Sequence, residues 1–167
     1  MSSFARLTPI GMVRSPFKEP AGTPIQPVYA GETEGIVEVF PEYAEGLRDL
    51  DGFERIWLLY WLDRAPAPRL RVTPFRDHVE RGLFATRAPC RPNPIGLSCV
   101  RLLRVSGNQL TVGGLDILDG TPVLDIKPYV PQFDAFPQSR AGWLERGGSE
   151  LTRADRRFDP GGSGHRV

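Results

Sequence analysis

The sequence predicts an all-β sandwich or barrel, and three observations predict it. Short apolar or alternating runs recur along the chain, each bounded by a turn signal such as Ser15-Pro16, Asp51-Gly52, Ser106-Gly107-Asn108 or Asp119-Gly120. Eighteen glycines and 17 prolines are spread through the 167 residues, which interrupts the chain too often for a helical bundle. No segment sustains a helical period over several turns. This length is that of one domain with a core of its own.

Taken in order, Leu7–Arg14 reads as a first strand ending at Ser15-Pro16. Residues 16–27 hold four prolines and a glycine, a loop too long to be idle in a compact domain. Glu34–Phe40 alternates, with Ile36 and one of Val37 or Val39 expected inward. Pro41 can open a short helix with Tyr43, Leu47 and Leu50 at helical spacing. The run Ile56–Leu62 is apolar on both faces, which predicts a central strand covered on each side. Arg69–Phe75 alternates again, setting Leu70 and Val72 against Arg69 and Arg71. Pro89, Pro92 and Pro94 then stiffen a loop that excludes helix and ladder alike. Ser98–Val105 and Gln109–Leu118 form a hairpin, and Val123–Ile126 is the last strand. Beyond residue 137 little is left to bury, so residues 138–167 read as a loose or partner-dependent tail on a 1–137 domain.

Composition narrows the function. A formal charge of +1 excludes a strongly basic nucleic-acid coat. Two cysteines and two histidines are too few for a disulfide scaffold, and no metal is expected. The N-terminus lacks the regions of a signal peptide, and Ile56–Leu62 is too short to span a bilayer, so no membrane partner and a cytoplasmic location are expected. No phosphate-cradling loop, dinucleotide fingerprint or nucleophile elbow is present. Cys99, on a predicted strand, reads as a small core residue. Of the 21 basic residues only Lys18 and Lys127 are lysines; the abundant arginine suits two-pronged recognition of phosphate or carboxylate.

Two segments are chemically unusual. Arg87 and Arg91 are mounted on the proline-stiffened loop, where a guanidinium loses less entropy on gripping an anion. Asp116, Asp119 and Asp125 surround a turn together with Lys127, a set that is either a solvated hairpin or part of a site. The words Gly82-Leu83-Phe84-Ala85-Thr86-Arg87, Arg91-Pro92-Asn93-Pro94-Ile95-Gly96-Leu97-Ser98, Leu115-Asp116, Asp119-Gly120-Thr121-Pro122-Val123 and Asp125-Ile126-Lys127-Pro128-Tyr129 follow one another in this order. With Ile10–Lys18 and Gln26-Pro27, they resemble the TsaA-like domain of the TrmO family of tRNA methyltransferases, over roughly residues 5–137.

That resemblance implies a small antiparallel β-barrel with long irregular loops and at most short helices, working as a homodimer. It implies S-adenosylmethionine as cofactor and threonylcarbamoyladenosine beside the anticodon of threonine tRNA as methyl acceptor. Cofactor contacts carry over to Gln26, Pro27, Val28, Asp63, Arg64, Arg87, Cys99, Leu115, Asp116, Ile117 and Leu118. Asp63-Arg64 departs from the family, where histidine and a neutral polar residue are usual. The acceptor nitrogen must lose a proton, for which Asp116 and Asp125 are the catalytic candidates. RNA and acceptor contacts are assigned to Arg91 and Asn93 on the stiff loop and to an arginine patch of Arg69, Arg71, Arg76 and Arg81. The competing readings are a regulatory barrel that binds a nucleoside-like ligand without catalysis, and a methyltransferase with another acceptor.

Overall fold

The computed structural model describes residues 6–160. Its strands, in chain order, are β1 (Gly11–Arg14), β2 (Glu34–Val39), β3 (Arg55–Trp61), β4 (Arg71–Val72), β5 (Arg81–Gly82), β6 (Ile95–Ser106), β7 (Gln109–Gly113) and β8 (Pro122–Pro128). Six of them close into a barrel in the order β1-β2-β7-β6-β3-β8, every neighbouring pair antiparallel, while β4 and β5 form a separate ribbon. Closure leaves no unpaired edge in the main sheet. One helical turn, α1 (Pro131–Asp134), and short 3-10 turns complete the chain, so the expected all-β barrel with long loops is what forms.

Period-two alternation builds the core. Val13, Val37, Val39, Ile56, Leu58, Val100, Leu110, Val112 and Val123 point inward and are almost wholly buried. Several details differ from the sequence reading. Val37 and Val39 share the inward face of β2, and Ile36 is turned the other way and only half-buried, because two successive residues of a strand cannot face one side. β3 is covered fully on one face only: Ile56, Leu58 and Tyr60 fill the barrel, while Trp57, Leu59 and Trp61 lie half-buried outside. The segment after Pro41 is a 3-10 helix that buries Leu47 and leaves Tyr43 exposed. Of Arg69–Phe75 only two residues pair, with Val72 buried and Leu70 exposed. β7 ends at Gly113 rather than Leu118, since Gly114 takes φ +71 and turns the chain out of the ladder.

The segment after residue 137, expected to be loose, is docked over its 152–159 part. Pro24 bridges to Arg153, and Ala154 N donates to Thr23 O at 2.8 Å. Phe158 enters a second small core with Val72, Leu83, Ala88 and Cys90, edge-on to Phe75 at 5.1 Å. Arg157 spans Asp155 and the Pro74 carbonyl. Phe158, in a Gly- and Arg-rich stretch, is a weak hydrophobic signal, yet it completes the small core formed by the 70–90 loops. Phe158→Ala is expected to lower stability by about 3 kcal/mol through lost burial and the cavity left behind. Urea unfolding measures the loss, and limited proteolysis should cut first within 138–160.

Candidate active site

A cleft of about 350 Å³ opens at the end of the barrel where β3 finishes and β6 begins. Three stretches distant in sequence build it. The first loop supplies Ile25 and Gln26, the stiff loop supplies Thr86, Arg87 and Arg91, and the turn after β7 supplies Asp116, Ile117 and Leu118. Asp63 and Arg64, just past β3, and Ala154, Asp155 and Phe158 of the docked C-terminal segment complete the wall.

The 115–118 segment lies across the barrel mouth because its polar groups find partners there. Ser15 Oγ donates to Ile117 O at 2.7 Å, Asp119 N donates to Phe17 O at 2.7 Å, and Gly120 N donates to Val13 O at 2.8 Å. Asp119 accepts from Ser15 N and pairs with Lys18 Nζ at 2.7 Å; the Lys18 bond holds its carboxyl below the usual range. Arg64 Nη2 donates to Asp119 O at 2.8 Å, tying the far wall to the same turn.

Inside the cleft runs a directed hydrogen-bond chain. Ser98 Oγ donates its only proton to Asp116 Oδ1 at 2.7 Å, so Tyr60 Oη, 2.9 Å from Ser98 Oγ, is the donor to serine. Tyr60 reaches this place because Gly96, its partner on β6, has no Cβ; one there would overlap the phenol ring. Burial raises the Tyr60 hydroxyl above its ordinary pKa, which keeps it protonated and donating. Burial also pushes the Asp116 carboxyl up to about 6, against the opposing Ser98 hydrogen bond and the Arg87 charge. Opposite, Arg87 Nη1 donates to Gln26 Oε1 at 2.6 Å, joining two loops 61 positions apart.

The residues assigned from sequence do not all converge. Gln26, Asp63, Arg64, Arg87, Asp116, Ile117 and Leu118 line the cleft. Pro27, Val28 and Cys99 instead line an adjoining hollow outside the barrel, which shares Gln26 and Arg87 with the cleft. Cys99 is therefore not a core residue: it pairs with Trp57 on the outer face, and burial there raises its thiol pKa. Leu115 is wholly buried in the barrel core and offers no side chain to a ligand. Asp125 lies opposite outward-facing Leu59 and pairs with Lys127 at 2.9 Å, away from Asp116.

Arg91 lines the cleft, but its Nη1 donates to Thr86 O at 3.0 Å and Ala88 O at 3.3 Å, so it braces its own loop. Asn93 is exposed just before β6. The arginine patch is largely engaged: Arg71 pairs with Glu80 and Arg81 with Asp77, while Arg69 stacks on Phe158 and Arg76 on Tyr29. Sequence reading assigned no role to Tyr60 or Ser98; their signals were two polar groups at inward positions of apolar strands and, for Ser98, its place at the end of the Arg91–Ser98 word.

A closed antiparallel barrel with a loop-built cleft, a half-buried carboxylate and facing guanidinium groups is a small-ligand site of the barrel type, not a nucleotide-binding α/β site. The chain belongs to the tRNA-methyltransferase O family: the model of that family's N-terminal domain matches residues 12–135. A Pyrococcus abyssi protein described as a probable S-adenosyl-L-methionine-binding protein is 53% identical over 152 residues, spanning 90% of this chain and 83% of that protein. The tRNA (adenine(37)-N6)-methyltransferase of Escherichia coli is 36% identical over 155 residues, spanning 87% of this chain and 66% of that protein. The crystal structure of TrmO from Pseudomonas aeruginosa superposes with TM-score 0.74 at 40% identity, over 87% of this chain and 63% of that one. This chain thus spans about two thirds of the length of the latter two proteins.

The half-buried Asp116 carboxylate makes stability depend on pH. Asp116 binds its proton more tightly folded, at about 6, than an ordinary carboxyl at 3.8. Its contribution to stability is full below about pH 4 and is lost as pH rises through about 6, a change on the order of 3 kcal/mol. Asp116→Asn should remove that loss. Urea midpoints measured for both proteins between pH 4 and pH 7 should diverge, with the variant gaining on the wild type as pH rises.

Proposed function

We propose that the chain is an S-adenosylmethionine-dependent methyltransferase acting on the exocyclic nitrogen of threonylcarbamoyladenosine in tRNA. The observation that carries this reading is the convergence of the family's cofactor positions Gln26, Asp63, Arg64, Arg87 and Asp116–Leu118 on one cleft. The donor set suits the cofactor. A carboxylate answers a sulfonium cation, and guanidinium groups answer an amino-acid carboxylate. Arg64 Nε is buried at the cleft wall with no hydrogen-bond partner, lying 3.5 Å from Asp63 without bonding to it. Gln26, Arg64, Arg87 and the 116–118 backbone hold the cofactor in this reading. Bound there, S-adenosylmethionine supplies an electrophilic methyl group.

The chain's own residues align the acceptor and take its proton. Alignment of donor and acceptor is worth about 7–11 kcal/mol of barrier. Asp116, with a carboxyl at about 6, is mostly ionised at neutral pH yet basic enough to receive the proton as the new C–N bond forms. Ser98 and Tyr60 hold the receiving oxygen in place. Arg87, the exposed member of the stiff loop, is better placed than Arg91 to meet the threonyl carboxylate or the cofactor.

The partner is tRNA, with threonine tRNA the acceptor species in this reading, and the protein is a cytoplasmic homodimer. The outer face of β3 and β6 supports the dimer: Trp57, Leu59 and Trp61 lie beside Ile95 and Leu97, which are 40% and 45% exposed. Among the described residues no helix is long and apolar enough to cross a membrane. The non-catalytic barrel is less well supported, because a ligand-binding scaffold has no need of a basic carboxylate on a hydrogen-bond relay.

Two outcomes are expected. Arg87→Ala should weaken S-adenosylmethionine binding by about 1.5–3 kcal/mol, the value of a charge-assisted hydrogen bond, as read by calorimetry. Methyl transfer should label tRNA carrying threonylcarbamoyladenosine and not tRNA from cells unable to make it. Its rate should fall below about pH 6, and Asp116→Asn should lower kcat by 10²–10⁴-fold. Equal labelling of both tRNAs would point to another acceptor.

A further inference from the structure

A second hollow, of about 540 Å³, shares Gln26 and Arg87 with the cleft and opens toward the C-terminal segment. Its walls are aromatic and apolar: Phe75, Phe84, Trp143 and Leu144, with Arg76 and Arg87 among them and no carboxylate. Phe84 is 75% exposed, an unusual state for phenylalanine on a rigid loop. The exposed Phe84 ring and the half-buried Trp143 ring are both braced. Arg91 lies over Phe84 at 5.6 Å, Arg81 lies over Trp143 at 5.6 Å, and Trp143 Nε1 donates to Ala85 O at 2.8 Å. The adjacent surface around Trp143 adds Arg140 and Arg146, with Glu145 its one acidic member.

We infer that this hollow takes an unstacked base of the RNA substrate, one that flanks the base undergoing reaction, with the adjoining phosphates on Arg140 and Arg146. The inference rests on the tRNA reading above and extends it. Single-stranded nucleic acid is held by aromatic platforms lined with positive charge, and braced rings lose little entropy on stacking. A patch of arginines with little acidic balance favours a polyanion over a second copy, whose identical patch would repel it. Continuity with the cleft through Arg87 places the flanking base one loop-width from the reaction.

The test compares wild type with Phe84→Ala and Phe84→Trp in an otherwise intact chain. A labelled anticodon stem-loop RNA is titrated by anisotropy, and S-adenosylmethionine is titrated by calorimetry. Phe84→Ala should weaken RNA binding and raise KM for tRNA about tenfold, leaving kcat and cofactor affinity unchanged, and Phe84→Trp should restore both. Unchanged RNA affinity in Phe84→Ala, or equal loss in Phe84→Trp, overturns the base-binding hollow while the methyltransferase reading stands. A wild-type protein that binds S-adenosylmethionine but no RNA overturns both. A change in light-scattering mass on Phe84→Ala assigns the hollow to contact between copies and overturns the inference.

Discussion

The cleft depends on one constraint: the chain between Gly114 and Thr121 must leave the ladder, cross the barrel mouth and still satisfy its backbone. Gly114 permits the departure with its positive φ, and the buried Ser15 Oγ bond to the Ile117 carbonyl holds the crossing in place. An unpaired carbonyl there would carry the full desolvation penalty of a buried polar group. Leu115 and Ile117 are then driven into the core, and Asp116 between them is left facing the cleft. The cleft-facing carboxylate is a by-product of packing its two neighbours.

That position sets the electrostatics. A carboxylate beside Leu115 and Ile117 loses water, and the Ser98 hydrogen bond and the Arg87 charge only partly offset that loss. The contrast with Asp119, three residues on, is instructive. Asp119 has Lys18 and a backbone amide and is driven acidic; Asp116 has a hydroxyl and burial and is driven basic. Two aspartates of one turn are thereby sorted into a structural anchor and a group able to exchange a proton near neutrality.

Arginine behaves in the same divided way. The sequence offers a chain rich in guanidinium groups without saying which are free. Tertiary contacts assign Arg91 to its own loop, Arg71 and Arg81 to ion pairs, and Arg157 to the docking of the C-terminal segment. Arg87, next to these in sequence, has a glutamine side chain as its partner and stands at the junction of the cleft and its neighbouring hollows.

The sequence by itself determined the all-β class, the positions of most strands and the two stiff or turn-rich loops that line the cleft. Alternation, turn residues and clustered prolines are local properties, and strands and stiff loops are local consequences of them. The resemblance carried by its unusual words also singled out Gln26, Arg87 and Asp116, which the structure brings to one cleft. Only the tertiary structure decided that Asp116 and not Asp125 faces the cleft, and that Cys99 points outward. It also decided that Tyr60 and Ser98 form the relay, and that Phe158 anchors residues beyond 137. Each of these depends on which face of a closed barrel a side chain meets and on what packs against it from far along the chain. Sequence spacing carries neither fact, because register and closure are settled by long-range pairing.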